Sequence, residues 1–244
     1  MLTALYDAIR KDAKPEQMTI NNRSYTTSPL YPVNEPLPAE MQARTLSALV
    51  DYLKTNIDAI NIKNLICHVE SPTEVYLASA LGGEFLDRAV YLRLKADVPK
   101  HNFDAFIDSE RFIIWLQSCF VDGVSESGRH LVLEYAGNVK NEEITTFGDD
   151  GITQGVTIKS GVASVKRAAL PNPVVLRPYR TFIEVVQPAS AFVFRAKKSE
   201  SMHKDSVNPD FALIEADGGA WKIEAMQAIK AYFNEHLPDL LVIA

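Results

Sequence analysis

The stretch FALIEADGGAW, Phe211 to Trp221, runs an alternating segment into two carboxylates and a glycine pair, and then opens onto a helix-forming sequence. Read as a strand, it puts Phe211, Leu213, Glu215 and Asp217 on one face. Gly218 and Gly219 make the turn. In WKIEAMQAIKAYFNEHL, which follows, Trp221, Ala225, Ile229 and Tyr232 are spaced to face a core, which predicts a helix over about 220–237. A strand running into a helix is the unit from which doubly wound α/β folds are built, so the fold depends on whether that unit recurs along the chain.

It does not recur. Leu46, Leu49, Val50, Leu53, Ile57 and Ile60 predict a first helix over about 38–60, with Pro38 near its first turn, where the missing N–H does no harm. Two strands follow, NLICHVE and EVYLASAL, parted by the turn signal Ser71-Pro72-Thr73. AVYLRLKADV then alternates, with Val90, Leu92 and Leu94 on one side and Tyr91, Arg93 and Lys95 on the other. FIDSERFIIWLQSCF predicts a largely buried second helix over about 106–120, capped by Asp108 or Ser109. From Arg129 the pattern reads as β: HLVLEYAGNV, ITQGVTIKSGV, PNPVVLRPYRTFIEVV, SAFVFRAKK and FALIEADG, with LLVIA as a closing strand. In ITQGVTIKSGV, Val156, Ile158 and Val162 share one face. The order helix, strands, helix, many strands, helix predicts an α+β fold with a mixed, mainly antiparallel sheet.

Residues 2–13 read as a short amphipathic helix, and 18–38 as an extended arm in which Pro29, Pro32, Pro36 and Pro38 forbid a helix. The chain thus divides into an N-terminal helix and arm, 1–37, and a single α+β domain, 38–244, with a sub-boundary near 122–129. At 244 residues and 47% hydrophobic, the chain buries enough apolar surface to fold without staples. Cys67 and Cys119 stand far apart in apolar settings and read as buried free thiols of a reducing compartment. Asp7, Arg10, Lys11 and Asp12 interrupt any signal-peptide core, and no run approaches a membrane span, so a cytoplasmic location is expected.

Glu215 and Asp217, two residues apart on a strand, are the candidate metal or acid–base pair. A site would need a third ligand; Asp149 and Asp150 of the Gly148–Gly151 turn are the only other acids clustered in a turn, and nothing in the sequence places them nearby. Turn chemistry accounts for them more simply: Asp217 accepts backbone N–H groups ahead of the helix, and Glu215 pairs with a basic neighbour. GDDG reads as a hairpin turn. His68, His101, His130, His203 and His236 stand in no metal-ligand pattern, and no nucleophile elbow, phosphate loop or dinucleotide fingerprint is present. No cofactor is expected.

Charge is unevenly spread. Residues 151–204 carry nine Lys or Arg against Glu184 and Glu200, a net +7 that leaves −13 on the rest of a chain of net −6. Within that segment Arg177, Tyr179, Arg180, Arg195, Lys197 and Lys198 interleave cations with aromatic residues, the pattern of a single-strand nucleic-acid groove. The competing reading takes Phe182, Phe192 and Phe194 as core, with Val193, Arg195 and Lys197 on a solvated basic face.

Taken together, FIDSERFIIWLQSCF, GNVKNEEITTFGDDGITQGVTIKSGVA, PNPVVLRPYRTFIEVVQPASAFVFR and ALIEADGGAWKIEAM resemble the YfdQ-like proteins, a domain-of-unknown-function family of tailed phages and prophages. The resemblance spans roughly residues 65–235. It implies an accessory phage product associated with replication and recombination, and it brings no catalytic residues. The expected function is non-enzymatic: a cytoplasmic accessory protein of the infected host that self-assembles through its positive and negative surfaces. The alternatives are a single-stranded nucleic-acid binder serving recombination or replication, a nucleotide-binding counter-defence protein, and a metal-dependent enzyme built on Glu215 and Asp217.

Overall fold

A computed structural model describes residues 2–6, 16–20, 23–26, 37–83, 86–122, 128–141, 143–149, 154–160, 164–169, 172–198 and 209–244. Two units divide the chain. One comprises 1–37 with 83–87, the other 38–82 with 88–244. In the first, residues 2–6 are helical and β1 (Gln17–Ile20) pairs antiparallel with β2 (Arg23–Thr26), Gln17 facing Thr26.

The second unit is α+β, and its sheets are mainly antiparallel. Its first sheet has five strands in the order β14-β4-β5-β6-β3, formed by Leu241–Ile243 (β14), Leu65–Ser71 (β4), Glu74–Ser79 (β5), Val90–Lys95 (β6) and Met41–Ala43 (β3). The two edge strands, β14 and β3, run parallel to their neighbours. Alternation along β4 and β5 buries Leu65, Cys67, Val69, Val75 and Leu77. Those side chains meet Leu46, Leu49 and Val50 of α1 (Leu46–Thr55) and Ile229 and Phe233 of α4 (Ala220–His236) in one core. The Cys67 thiol lies in that core, and burial pushes its pKa up to about 12.

The second sheet has four strands in the order β11-β12-β13-β7, formed by Val174–Leu176 (β11), Ser190–Lys198 (β12), Pro209–Glu215 (β13) and Ile107–Asp108 (β7). One face packs on α2 (Ser109–Cys119) and α3 (Gly128–Asn141). This core is aromatic. Phe112 lies 5.2 Å from Phe211 and 5.9 Å from Phe194, and Tyr135 lies 5.5 Å from Phe194. Such pairs add about 0.5–1.5 kcal/mol each beyond their burial. A third sheet, β10-β9-β8, is a meander of Glu143–Asp149 (β8), Gln154–Ser160 (β9) and Ser164–Ala169 (β10). The predicted turn at 148–151 falls partly outside the described residues, as does most of the 122–129 linker.

Several expectations are met for local reasons. The Asp108 carboxylate accepts from Arg111 N–H at 3.0 Å, so α2 starts on the cap the sequence offered. Phe182, Phe192 and Phe194 are core, and Cys67 and Cys119 are buried free thiols.

Four expectations are corrected. HLVLEYAGNV is helical, not extended: Val132, Tyr135 and Ala136 are buried at helical spacing, and packing on α2 and β11 overrides the strand preference of Val132 and Tyr135. The first helix covers only Leu46–Thr55. Met41–Ala43 is a strand, and Asn56 ends the helix at φ 45°, its side chain accepting from Ile60 N–H at 2.8 Å. Tyr91 packs toward the core rather than beside Arg93, because the β5–β6 register shifts between Leu77 and Ala78. PNPVVLRPYRTFIEVV supplies a strand only at Val174–Leu176.

Beyond β11 the chain makes a compact loop instead. The Gln187 side chain closes it, its Oε1 accepting from Arg180 N–H at 2.9 Å and Thr181 N–H at 3.2 Å, and its Nε2 donating to the Phe182 carbonyl at 3.0 Å. The loop leaves the second sheet and returns to it, but it reaches the first. Phe182 enters the first core, Thr181 Oγ donates to the Pro72 carbonyl, and Glu184 Oε1 accepts from Leu46 and Ser47 N–H at 2.7 and 3.3 Å. Glu184 therefore caps α1, whose own Thr45 makes no side-chain cap.

Candidate functional site

The residues singled out by their chemistry converge at the base of that loop. Arg180 is 4% exposed. Its Nη1 donates to Glu215 Oε1 at 2.5 Å, and its Nη2 donates to Ser190 Oγ. Ser190 Oγ in turn donates to Asp217 Oδ2. The guanidinium lies 3.9 Å above the Trp221 ring and about 6 Å from the rings of Phe192 and Phe103. Four segments meet here: the loop brings Arg180, the start of β12 brings Ser190, the end of β13 brings Glu215, and the turn into α4 brings Asp217 and Trp221.

FALIEADGGAW folds this way because strand alternation runs out where the glycines begin. Phe211 and Leu213 are buried on one face of β13, and Glu215 emerges at its end beside Arg180. Gly218 and Gly219 hold φ of 64° and 82°, left-handed values open to glycine at little cost. Asp217 Oδ1 accepts from Gly219 N–H at 3.0 Å, so the carboxylate closes the turn while its other oxygen holds Ser190.

The electrostatics follow from the geometry. Burial lowers the Arg180 pKa, and Glu215 and Asp217 pull against it. For Asp217, burial acts to raise the pKa, but the Ser190 hydroxyl, the Gly219 N–H and the Arg180 charge outweigh it and hold the carboxyl below its ordinary range. His101 flanks the cluster. Its Nε2 meets the Tyr179 carbonyl at 2.9 Å and its ring stacks on Phe103 at 4.8 Å. Burial lowers its pKa; the Tyr179 carbonyl opposes that and the Arg180 charge reinforces it.

Arg180, from the basic candidates, and the Glu215–Asp217 pair thus belong to one cluster. Arg180, expected in an anion groove, is consumed by Glu215 and Ser190. Glu215 and Asp217, the candidate metal pair, are consumed by Arg180, Ser190 and the α4 turn. Among the described residues no group of three His, Cys, Asp or Glu side chains is placed to hold a metal ion. The Asp149 side chain lies outside the described residues. The cluster is built to neutralise charge and to hold the loop, β12, β13 and α4 together.

The other basic candidates separate from Arg180. Arg177 is exposed, and its carbonyl accepts from Val121 N–H at 2.8 Å. Tyr179 is half-buried, with its backbone engaged by Cys119 and His101. Arg195 and Lys197 alternate along the face of β12 turned away from the helices. Lys197 Nζ stands 4.8 Å over the Phe106 ring. The Lys198 side chain lies outside the described residues. Sequence reasoning missed Ser190, His101 and the stacking role of Trp221, since no local spacing links them to Arg180.

Among the described residues no helix is long and apolar enough to cross a membrane. Compared with protein-family models, with curated proteins and with solved structures, the chain matches none.

Proposed function

We propose that this protein acts by binding rather than by catalysis, as a self-associating accessory protein of the host cytoplasm. The observation that carries the reading is the face of the second sheet turned away from α2 and α3. It presents Val175 at 59% exposure and Ile214 at 37%, with half-buried Val193 opposite Ile214, while Ala212 on the same face is buried. Arg195 and Lys197 continue the same face toward the far end of β12, with Asp210 directly across from Lys197. An apolar centre with a charged margin is the anatomy of a protein-binding surface.

The occupant we assign is a second copy. Residues 151–204, which include β11 and β12, are net +7 and the remainder of the chain is net −13, a charge asymmetry that favours attraction between like chains. The resemblance to YfdQ-like phage proteins agrees with an accessory role. The Arg180–Glu215–Asp217 cluster fits a non-catalytic reading too, because these charged side chains are spent on one another.

Light scattering across micromolar concentrations, at physiological and high salt, tests the proposal. A defined oligomer is expected, weakening as salt rises, and Ile214→Asp is expected to leave a folded monomer. A strict monomer throughout refutes self-association. A monomer that binds labelled single-stranded oligonucleotide, with a steep loss on adding salt, would shift the reading to nucleic acid held by Arg177, Arg195 and Lys197.

A further inference from the structure

A different surface carries a second set of donors. β3 and β6 run parallel at one edge of the five-stranded sheet, with Gln42 opposite Arg93. Lys95 stands two residues beyond Arg93 on the same face of β6, and Arg44 follows in the bend just past β3. Gln42, Arg93 and Lys95 thus group on one patch, with about 5 Å between strands and about 7 Å between residues two apart along β6, and Arg44 borders it. Between them lies a cavity of about 160 Å³ lined by Gln42, Ala43, Arg44, Glu74, Arg93 and Lys95. That is smaller than the roughly 300 Å³ at which pockets begin to enclose whole ligands. It has room for one compact head group.

The surroundings hold Arg93 in place. Its Nε donates to Glu40 Oε1 at 2.9 Å, its Nη1 to Glu70 Oε2 at 3.3 Å, and the guanidinium lies 5.3 Å from the Tyr76 ring centre. The Glu40 hydrogen bond raises the Arg93 pKa against the opposing effect of burial, so the charge is permanent. Lys95 pairs with Glu74 at 3.2 Å, and Arg44 is exposed at the rim. A fixed guanidinium costs little entropy when it takes a ligand. Glu40, Glu70 and Glu74 equal Arg44, Arg93 and Lys95 in number, so a bound anion has to compete with surface ion pairs worth about 0–1 kcal/mol each.

We propose that this cavity binds a phosphate group, either as the free ion or as the terminal phosphate of a small ester. Guanidinium forks and an ammonium group match the several oxygens of phosphate better than the two of a carboxylate. The site lies on the first sheet, apart from the proposed self-association face of the second, and its occupancy does not depend on self-association.

The test is calorimetric titration of the full chain with inorganic phosphate, adenosine monophosphate and acetate at constant ionic strength, repeated on Arg44→Ser, Lys95→Ser and, as a control, Arg195→Ser. Saturable phosphate binding on the order of millimolar is expected, with acetate weaker. Arg44→Ser and Lys95→Ser should each weaken it about tenfold, the scale of one lost charge-assisted hydrogen bond, and Arg195→Ser should leave it unchanged. Equal affinity for phosphate and adenosine monophosphate identifies the free ion as the ligand; tighter nucleotide binding identifies an ester. Absence of saturable heat with both phosphate probes overturns the proposal, and so does binding that survives Arg44→Ser and Lys95→Ser undiminished. Circular dichroism of each variant establishes that it is folded.

Discussion

Replacing Arg180 with Met should destabilise the protein more than almost any other single change outside the cores. The substitution keeps an unbranched chain against Trp221 but removes the cation. Glu215 then loses its partner at 2.5 Å, Ser190 loses the donor that orients it, and Asp217 loses a favourable charge. Removing one member of a buried ion pair costs about 3–5 kcal/mol. The Glu215 side chain is 32% exposed, so water takes up part of the freed charge and the lower end, about 3 kcal/mol, applies. Among the described residues Arg180 Nε has no hydrogen-bond partner, a burial cost that Met does not carry and another reason to stay at that end. For a chain of this size about 3 kcal/mol lowers Tm by about 6–12 °C. Thermal unfolding followed by circular dichroism reads this directly. Adding Glu215→Gln to Arg180→Met should raise Tm again, because it removes the charge left behind. Arg180→Lys should recover little, since an ammonium cannot reach Glu215 and Ser190 together while stacking on Trp221. A Tm for Arg180→Met within about 2 °C of the parent would refute the claim that this cluster locks the loop to β12, β13 and α4.

Two further predictions concern packing and pH. A Cβ at Gly128 would lie 2.3 Å from the Val175 carbonyl oxygen and 2.8 Å from Val174 Cγ2. Gly128→Ala should therefore cost about 1–3 kcal/mol despite alanine's higher helix propensity, because the obstacle is backbone; an unchanged urea midpoint would contradict that close approach. Acid should destabilise in two stages. His101, its folded pKa held below the ordinary value, leaves the unfolded chain to take up the proton first, so stability present above about pH 6.5 is lost as pH falls below it. Asp217, also depressed, contributes stability present above about pH 4 and lost as pH falls through its lower folded value. Urea unfolding across this range should show both limbs, and His101→Gln should remove the first. A parent protein that grows more stable between neutral pH and about pH 5.5 would contradict the first limb.

The elements legible in the sequence are those whose causes are local. α2 could be read because Asp108 caps it and Phe112, Leu116 and Cys119 repeat on one side. β12 could be read because Phe192, Phe194 and Ala196 alternate with Val193, Arg195 and Lys197. α3 was illegible because Val132 and Tyr135 favour strands, and only the packing of this segment against α2 and β11 makes its helical spacing count. Glu215 pairing with a base and Asp217 serving the turn were legible as types of interaction. That the base is Arg180, 35 residues away, was not, since nothing in linear spacing encodes a partner brought by tertiary folding. The β3–β6 cavity stayed hidden for the same reason: Met41–Ala43 sits where helical periodicity was expected to begin, and its pairing with β6 is set by the assembled sheet.

The reach of Glu184 to the start of α1 has a consequence for how the chain is made. Leu46 leaves the ribosome 138 residues ahead of the carboxylate that completes its helix, and β4 emerges long before Leu241–Ile243 arrives to flank it. α1 and the first sheet therefore gain their last contacts only after the loop at 180–187 and residues 241–243 have emerged, and nascent chains stalled before that loop should be cleaved by protease more readily than the released chain.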